Sequence, residues 1–104
     1  MLKHCVFVQF RDNVPAKDKQ RVLAGFGDLV SQVDGMEDYA WGPNRDFEDK
    51  SGRYGDGFVV TFRDREAHLR YENHPVHQAL GAEMVSMCEG GHDGIIVFDI
   101  ECAD

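Results

Sequence analysis

Residues 2–10, Leu-Lys-His-Cys-Val-Phe-Val-Gln-Phe, alternate with period two, and both alternating sets carry large apolar groups. Leu2, His4, Val6, Val8 and Phe10 fall on one side; Lys3, Cys5, Phe7 and Gln9 fall on the other. The β-branched and aromatic content predicts a strand. Apolar groups on both faces require cover on both. The chain has only 104 residues, 11.8 kDa, to provide it. Scaling puts the folded surface of such a chain at about 6,000 Å², against roughly 17,000 Å² unfolded. That supports one domain over residues 1–104 with one modest core, and a second copy of the chain is the natural cover for the remaining face.

The rest of the pattern follows in order. Pro15 suits the first position of a helix, where its missing N–H costs nothing. Val22, Leu23, Phe26, Leu29, Val30 and Val33 then form one apolar stripe, and Gly35 is placed to end the helix. Residues 36–43, with Tyr39 and Trp41, predict a second strand, followed by a polar loop over 43–56 expected to be mobile. Residues 57–62 alternate Phe58, Val60 and Phe62 against Val59 and Thr61 as a third strand. Asp64 suits an N-cap for a short helix to about Asn73, and Pro75 interrupts it. A second helical piece carries His77, Leu80, Gly81, Met84 and Cys88 on one stripe and ends at Gly90-Gly91. Residues 94–102 form the last strand, with a loose tail at Ala103 and Asp104.

The order β-α-β-β-α-β is the ferredoxin-like split βαβ arrangement, an α+β fold with a four-stranded antiparallel sheet and both helices on one face. The bare face would carry Cys5, Phe7, Val59 and Thr61 together with apolar residues of the last strand. Such a patch marks an interface, here with a second copy, giving a homodimer whose two sheets form a dimeric α/β barrel.

Charge and cysteines restrict the function. A formal charge of −8, without a Lys/Arg cluster, argues against binding nucleic-acid phosphates. The longest apolar run, Ile95-Ile96-Val97-Phe98, is too short to span a membrane. Three widely spaced cysteines, Cys5, Cys88 and Cys102, form no disulfide framework and point to a reducing cytoplasm.

Five histidines are the chemistry-bearing groups. His77 shares its stripe with apolar residues and so faces the core or a cavity. His4 lies on the strand face with Val6 and Val8. If His4, Tyr71 and His77 converge, they make a polar knot within an apolar wall of Val22, Phe26, Phe58, Leu80 and Met84, the composition of a small-molecule pocket. An imidazole beside a tyrosine hydroxyl can take a proton from a carbon acid. Structural roles for the histidines within a non-catalytic dimer are the competing reading. His74, before a proline, braces the break. His68 and His92 are expected to be solvated, as are Glu72, Glu83 and Asp56. The His74-x-x-His77 pair lacks the partners of a zinc motif, so no metal is expected. Cys88 has no flanking cation to activate it and reads as core. No nucleotide, P-loop or nucleophile-elbow motif occurs, so no cofactor is expected; haem or flavin chemistry would rest on fold analogy alone.

Lys3-His4-Cys5-Val6 in the opening strand, Trp41-Gly42, Phe62 closing the third strand, and Tyr71-x-x-His74-Pro75-x-His77 together resemble the stress-responsive α/β barrel (Dabb) family. The resemblance spans nearly the whole chain and implies a dimeric barrel of ferredoxin-like protomers. The family includes stress-associated proteins, and plant polyketide cyclases similar to it carry out an aldol-type cyclisation. In that branch a histidine matching His77 is the base, a tyrosine matching Tyr71 orients it, and a histidine matching His4 lines the pocket. Here Asp56 stands where that branch has a further pocket histidine, and Cys88 where it has a bulky aromatic. The resemblance therefore implies a pocket shaped and charged for a different ligand.

Overall fold

The computed structural model describes residues 1–103; of the expected loose tail, Asp104 lies outside them. The elements are β1 (Leu2–Val8), α1 (Ala16–Gly27), β2 (Met36–Pro43), β3 (Asp56–Phe62), α2 (Arg65–Asn73), α3 (Pro75–Met87) and β4 (Ile95–Glu101). Short 3-10 turns at Asp28–Ser31 and Gly91–Gly94 follow α1 and precede β4. The four strands form one antiparallel sheet in the order β2-β3-β1-β4. This is the ferredoxin-like α+β arrangement.

Register assigns the faces, because directly opposed residues of antiparallel strands share a side. His4 pairs with Val60 and Asp99, and Val6 with Phe58 and Val97; this side meets the helices. Cys5 pairs with Val59 and Phe98, and Phe7 with Ile96, on the open side. The core lies between sheet and helices. Val6, Val8, Val60 and Phe62 from the sheet pack with Val22, Leu23 and Phe26 of α1, Ala67 and Tyr71 of α2, and Met84 and Met87 of α3. Each large side chain so buried contributes about 1.5–3 kcal/mol. The total accessible surface is 6223 Å², close to the size expected for the chain.

Four local expectations are corrected, those for Pro15, the end of α1, the end of β1 and His68. Pro15 is the N-cap rather than the first helical residue, with φ −62° and ψ 144°. The α-helix stops at Gly27, not Gly35, because β2 crosses close to it: a Cβ at Gly27 would sit 2.8 Å from the Tyr39 ring, whose hydroxyl donates to the Leu23 carbonyl at 2.6 Å. The tighter 3-10 turn that follows still buries Leu29. β1 ends at Val8, while Phe10 makes an isolated bridge to Cys88, which lies just past α3. The loop between β2 and β3 is held by a polar hub. Asp46 Oδ1 accepts from Lys50 N, Ser51 N and Ser51 Oγ, each at 2.9 Å, and Asn44 Nδ2 donates to the Tyr54 carbonyl at 2.7 Å. These bonds hold the Asp46 carboxyl below the usual carboxylate range. His68, finally, is buried rather than solvated.

The open face carries Cys5, Phe7, Val59, Ile96, Phe98 and Ile100, with Phe98 and Ile100 50% and 53% exposed. Lys3 Nζ donates to Thr61 Oγ1 at 2.7 Å and covers that hydroxyl, so Thr61 is buried there.

Gly35 makes the turn into β2 with φ +86°, and a Cβ there would meet Ala67 Cβ at 2.6 Å. Both the left-handed backbone and the contact oppose any side chain. Gly35→Ala is therefore expected to destabilise the fold by about 2 kcal/mol, read as a lowered midpoint in chemical denaturation.

Candidate functional site

The helices cover β1, β2 and β3 more fully than the edge strand β4. Between β4 and α3 lies a cleft of about 760 Å³, floored by His4, Val6, Val97 and Asp99 and walled by Phe26, Phe58, His68, Tyr71, His77 and Met84. That size suits a small organic ligand. Of the pocket residues expected from sequence, His4, Phe26, Phe58, Tyr71, His77 and Met84 meet here. Leu80 does not: its methyls pack over Gly25 of α1, where a Cβ would lie 3.2 Å away, because α3 turns that position toward α1. Val22 is fully buried in the core and is absent from the cleft wall. Asp56 and Cys88 likewise lie outside the lining. Burial raises the pKa of both, that of Cys88 to about 11, so the thiol stays protonated at neutral pH.

The break between α2 and α3 builds the centre of the site. Asp64 caps α2 by accepting from Ala67 N at 2.9 Å. In an uninterrupted helix the Tyr71 carbonyl would bond the N–H of residue 75 and the Glu72 carbonyl that of residue 76. Pro75 has no N–H. The Val76 N–H is taken by His74 Nδ1 at 3.1 Å, which caps α3 as expected of that residue. The Glu72 carbonyl is thereby released, and His77 Nδ1 binds it at 3.3 Å. A carbonyl only accepts, so His77 carries its proton on Nδ1 and presents the Nε2 lone pair. Burial, more than any neighbouring charge, depresses the His77 pKa below its ordinary value, so the ring is neutral at neutral pH.

Tyr71 meets His77 ring to ring, with centroids 4.1 Å apart. Its hydroxyl is buried and makes no hydrogen bond among the described residues, so it holds His77 by packing rather than through that hydroxyl. Burial also pushes the phenol pKa well up. On the floor, His4 Nδ1 and Asp99 Oδ1 are 2.6 Å apart, the geometry of an imidazole N–H donating to a carboxylate. His68 stands between, its ring 4.9 Å from His4 and 5.4 Å from Phe62.

Asp99 and His68 were not singled out from the sequence, although signals for both exist. Period-two alternation from Ile95 through Val97 puts Asp99 on the His4 face of the sheet. Helical spacing puts His68 one turn before Tyr71. His92 is exposed as expected and reaches the rim of the cleft. His4, His68 and Asp99 place ligand-capable atoms within 4.8 Å of one another.

A one-sided ferredoxin-like sheet with a histidine-lined cleft under a broken second helix defines a class of small α+β proteins. The model of the stress-responsive A/B barrel domain matches residues 2–102, and the chain belongs to that family. It is similar to the stress-response A/B barrel domain-containing protein HS1 of Arabidopsis thaliana, 28% identical over 94% of this chain and 86% of that protein. It is also similar to olivetolic acid cyclase of Cannabis sativa, 26% identical over 94% of this chain and 93% of that one. Among solved structures, a dimeric ferredoxin-like protein of unknown function from a Jannaschia species superposes with a TM-score of 0.90. It is 39% identical, with 97% of this chain and 98% of that chain covered.

Gly81 lies inside α3 on the cleft wall, and a Cβ there would meet nothing within 4 Å. Glycine in a helix interior costs about 0.5–1 kcal/mol relative to alanine. Gly81→Ala is expected to raise stability by about that amount, and Gly81→Leu to fold while filling the cleft. Thermal melts and binding of a small aromatic probe check the two halves.

Proposed function

We propose that the chain binds a small, largely apolar molecule in this cleft and carries out aldol- or lyase-type acid–base chemistry on it. In this reading His77 is the base and Tyr71 packs beside it. His4, Phe26, Phe58 and Met84 form the binding wall. The observation that carries the reading is the released Glu72 carbonyl, which holds the His77 proton on Nδ1 and leaves Nε2 free beside an apolar cleft. A neutral imidazole so held can take a proton from a carbon next to a carbonyl. The C–H electron pair then moves into an enolate, and Nε2–H returns a proton to the product carbon or oxygen. Similarity over nearly its full length to a protein named as a cyclase supports the same direction.

The working unit in this proposal is a homodimer, joined through the open sheet face. Phe98 and Ile100 leave an apolar surface there, and a relative sharing 39% identity is described as dimeric. The chain has free cysteines at Cys5, Cys88 and Cys102, which fit a reducing compartment such as the cytoplasm. No helix among the described residues is long and apolar enough to cross a membrane.

A direct test is exchange of the α-protons of acetophenone in D₂O, followed by NMR. His77→Ala is expected to lower the protein-catalysed rate by about 100-fold or more, with the fold retained. The base must be neutral to act, and its pKa lies below the ordinary histidine value. The rate should therefore rise to its plateau at a lower pH than it would for an ordinary imidazole, and fall on the acid side as the ring takes up a proton. Exchange equal in wild type and His77→Ala would replace this reading by that of a non-catalytic stress-response dimer.

Phe98→Arg places a charge on the apolar open face. It is expected to shift the protein from dimer to monomer in sedimentation velocity. A wild-type chain that sediments as a monomer would defeat the dimer proposal.

A further inference from the structure

We propose that His68 and Tyr71 form a two-donor subsite for one neutral carbonyl oxygen of the ligand, with Arg65 setting the tautomer that makes His68 a donor. This deepens the reading above, and rests on it only in that the carbonyl held here is the one whose neighbouring carbon His77 deprotonates.

The argument starts from Arg65, whose Nη1 lies 2.6 Å from His68 Nδ1. A guanidinium donates and never accepts, so Nδ1 of His68 is the acceptor and the neutral ring carries its proton on Nε2. That Nε2 is buried and has no hydrogen-bond partner among the described residues. The nearest carboxylate oxygen, Glu72 Oε1, is 3.7 Å away, beyond hydrogen-bond range. Burial, with His4 close by, lowers the His68 pKa and keeps the ring neutral.

The Tyr71 hydroxyl is the other buried side-chain group without a partner among the described residues. His68 is 2% exposed and Tyr71 1%, and both line the same cleft. Buried donors are ordinarily paired, and two without a partner among the described residues, both on residues that line one cleft, call for an acceptor supplied from outside the chain. A carbonyl oxygen has two lone pairs and can receive both. His4 does not compete, since its Nδ1 is engaged by Asp99.

The sign of the surroundings selects a neutral oxygen. Glu72 and Asp99 border the cleft and would repel a carboxylate, whereas a ketone or aldehyde meets no such penalty. The subsite therefore favours a carbonyl compound over both an acid and a hydrocarbon of the same shape.

Acetophenone, benzoate and ethylbenzene are matched probes for titration into the full chain, followed by ¹H–¹⁵N NMR. Acetophenone is expected to bind about tenfold more tightly than ethylbenzene, and more tightly than benzoate. In His68→Leu the advantage over ethylbenzene should fall several-fold. Equal binding of acetophenone and ethylbenzene by the wild type would overturn the proposal.

The tautomer offers a test that needs no variant in the core. Imidazole ¹⁵N shifts of the wild type should show His68 protonated at Nε2. The surface substitution Arg65→Met should weaken that preference and the acetophenone advantage together. A wild-type His68 protonated at Nδ1 would also overturn the proposal.

His77→Ala separates the two readings, because it should abolish α-proton exchange while leaving the acetophenone preference intact. A preference that depends on His68, without exchange that depends on His77, would remove the catalytic reading and keep the subsite. Exchange that depends on His77, without the preference, would do the reverse.

Discussion

The candidate site depends on one break in hydrogen bonding, at His74–Pro75. An α-helix continuing through these residues would consume the Glu72 carbonyl internally. It would also set Tyr71 and His77, six residues apart, on different sides of the cylinder. Proline removes one N–H, and the His74 side chain takes the next. The chain bends, the two rings meet at 4.1 Å, and a backbone carbonyl becomes free to fix the His77 proton. A single backbone interruption thus supplies both the position of the histidine and its tautomer.

A second constraint is area. The helices of a chain this short lie over one face of the sheet and leave its edge strand β4 only partly covered. Two consequences follow from the same shortage. On the open side, Phe98 and Ile100 are left as an apolar surface. On the helix side, the gap over Val97 and Asp99 is the cleft itself. The glycine at position 81 widens that gap at the expense of helix stability.

Much of the fold was legible because it is written in periodicity. The faces of β1 and β3, the Asp64 cap and the role of His74 follow from local spacing and backbone chemistry, which need no distant partner. His4, Tyr71 and His77 could be brought together because each lay on an apolar face pointing to the same layer. Leu80 was misplaced for the opposite reason: its stripe is correct, but which side of that stripe meets α1 rather than the cleft depends on how α3 is tilted after the break. His68 was misread because charged Arg65, Glu66 and Arg70 surround it in sequence, while in space it lies under His4 and Phe62.

The sequence by itself determined the order of elements, the one-sided sheet, the point at which the second helix breaks, and two of the imidazoles that line the cleft, His4 and His77. These are consequences of hydrophobic period, of proline's missing N–H and of capping side chains, all acting within a few residues. Only the tertiary structure decided that Asp99 binds His4, that Arg65 reaches Nδ1 of His68, and that the Tyr71 hydroxyl has no partner among the described residues. Those outcomes depend on strand register and helix tilt. They join groups as far apart as positions 4 and 99 through hydrogen bonds whose partners no local pattern specifies.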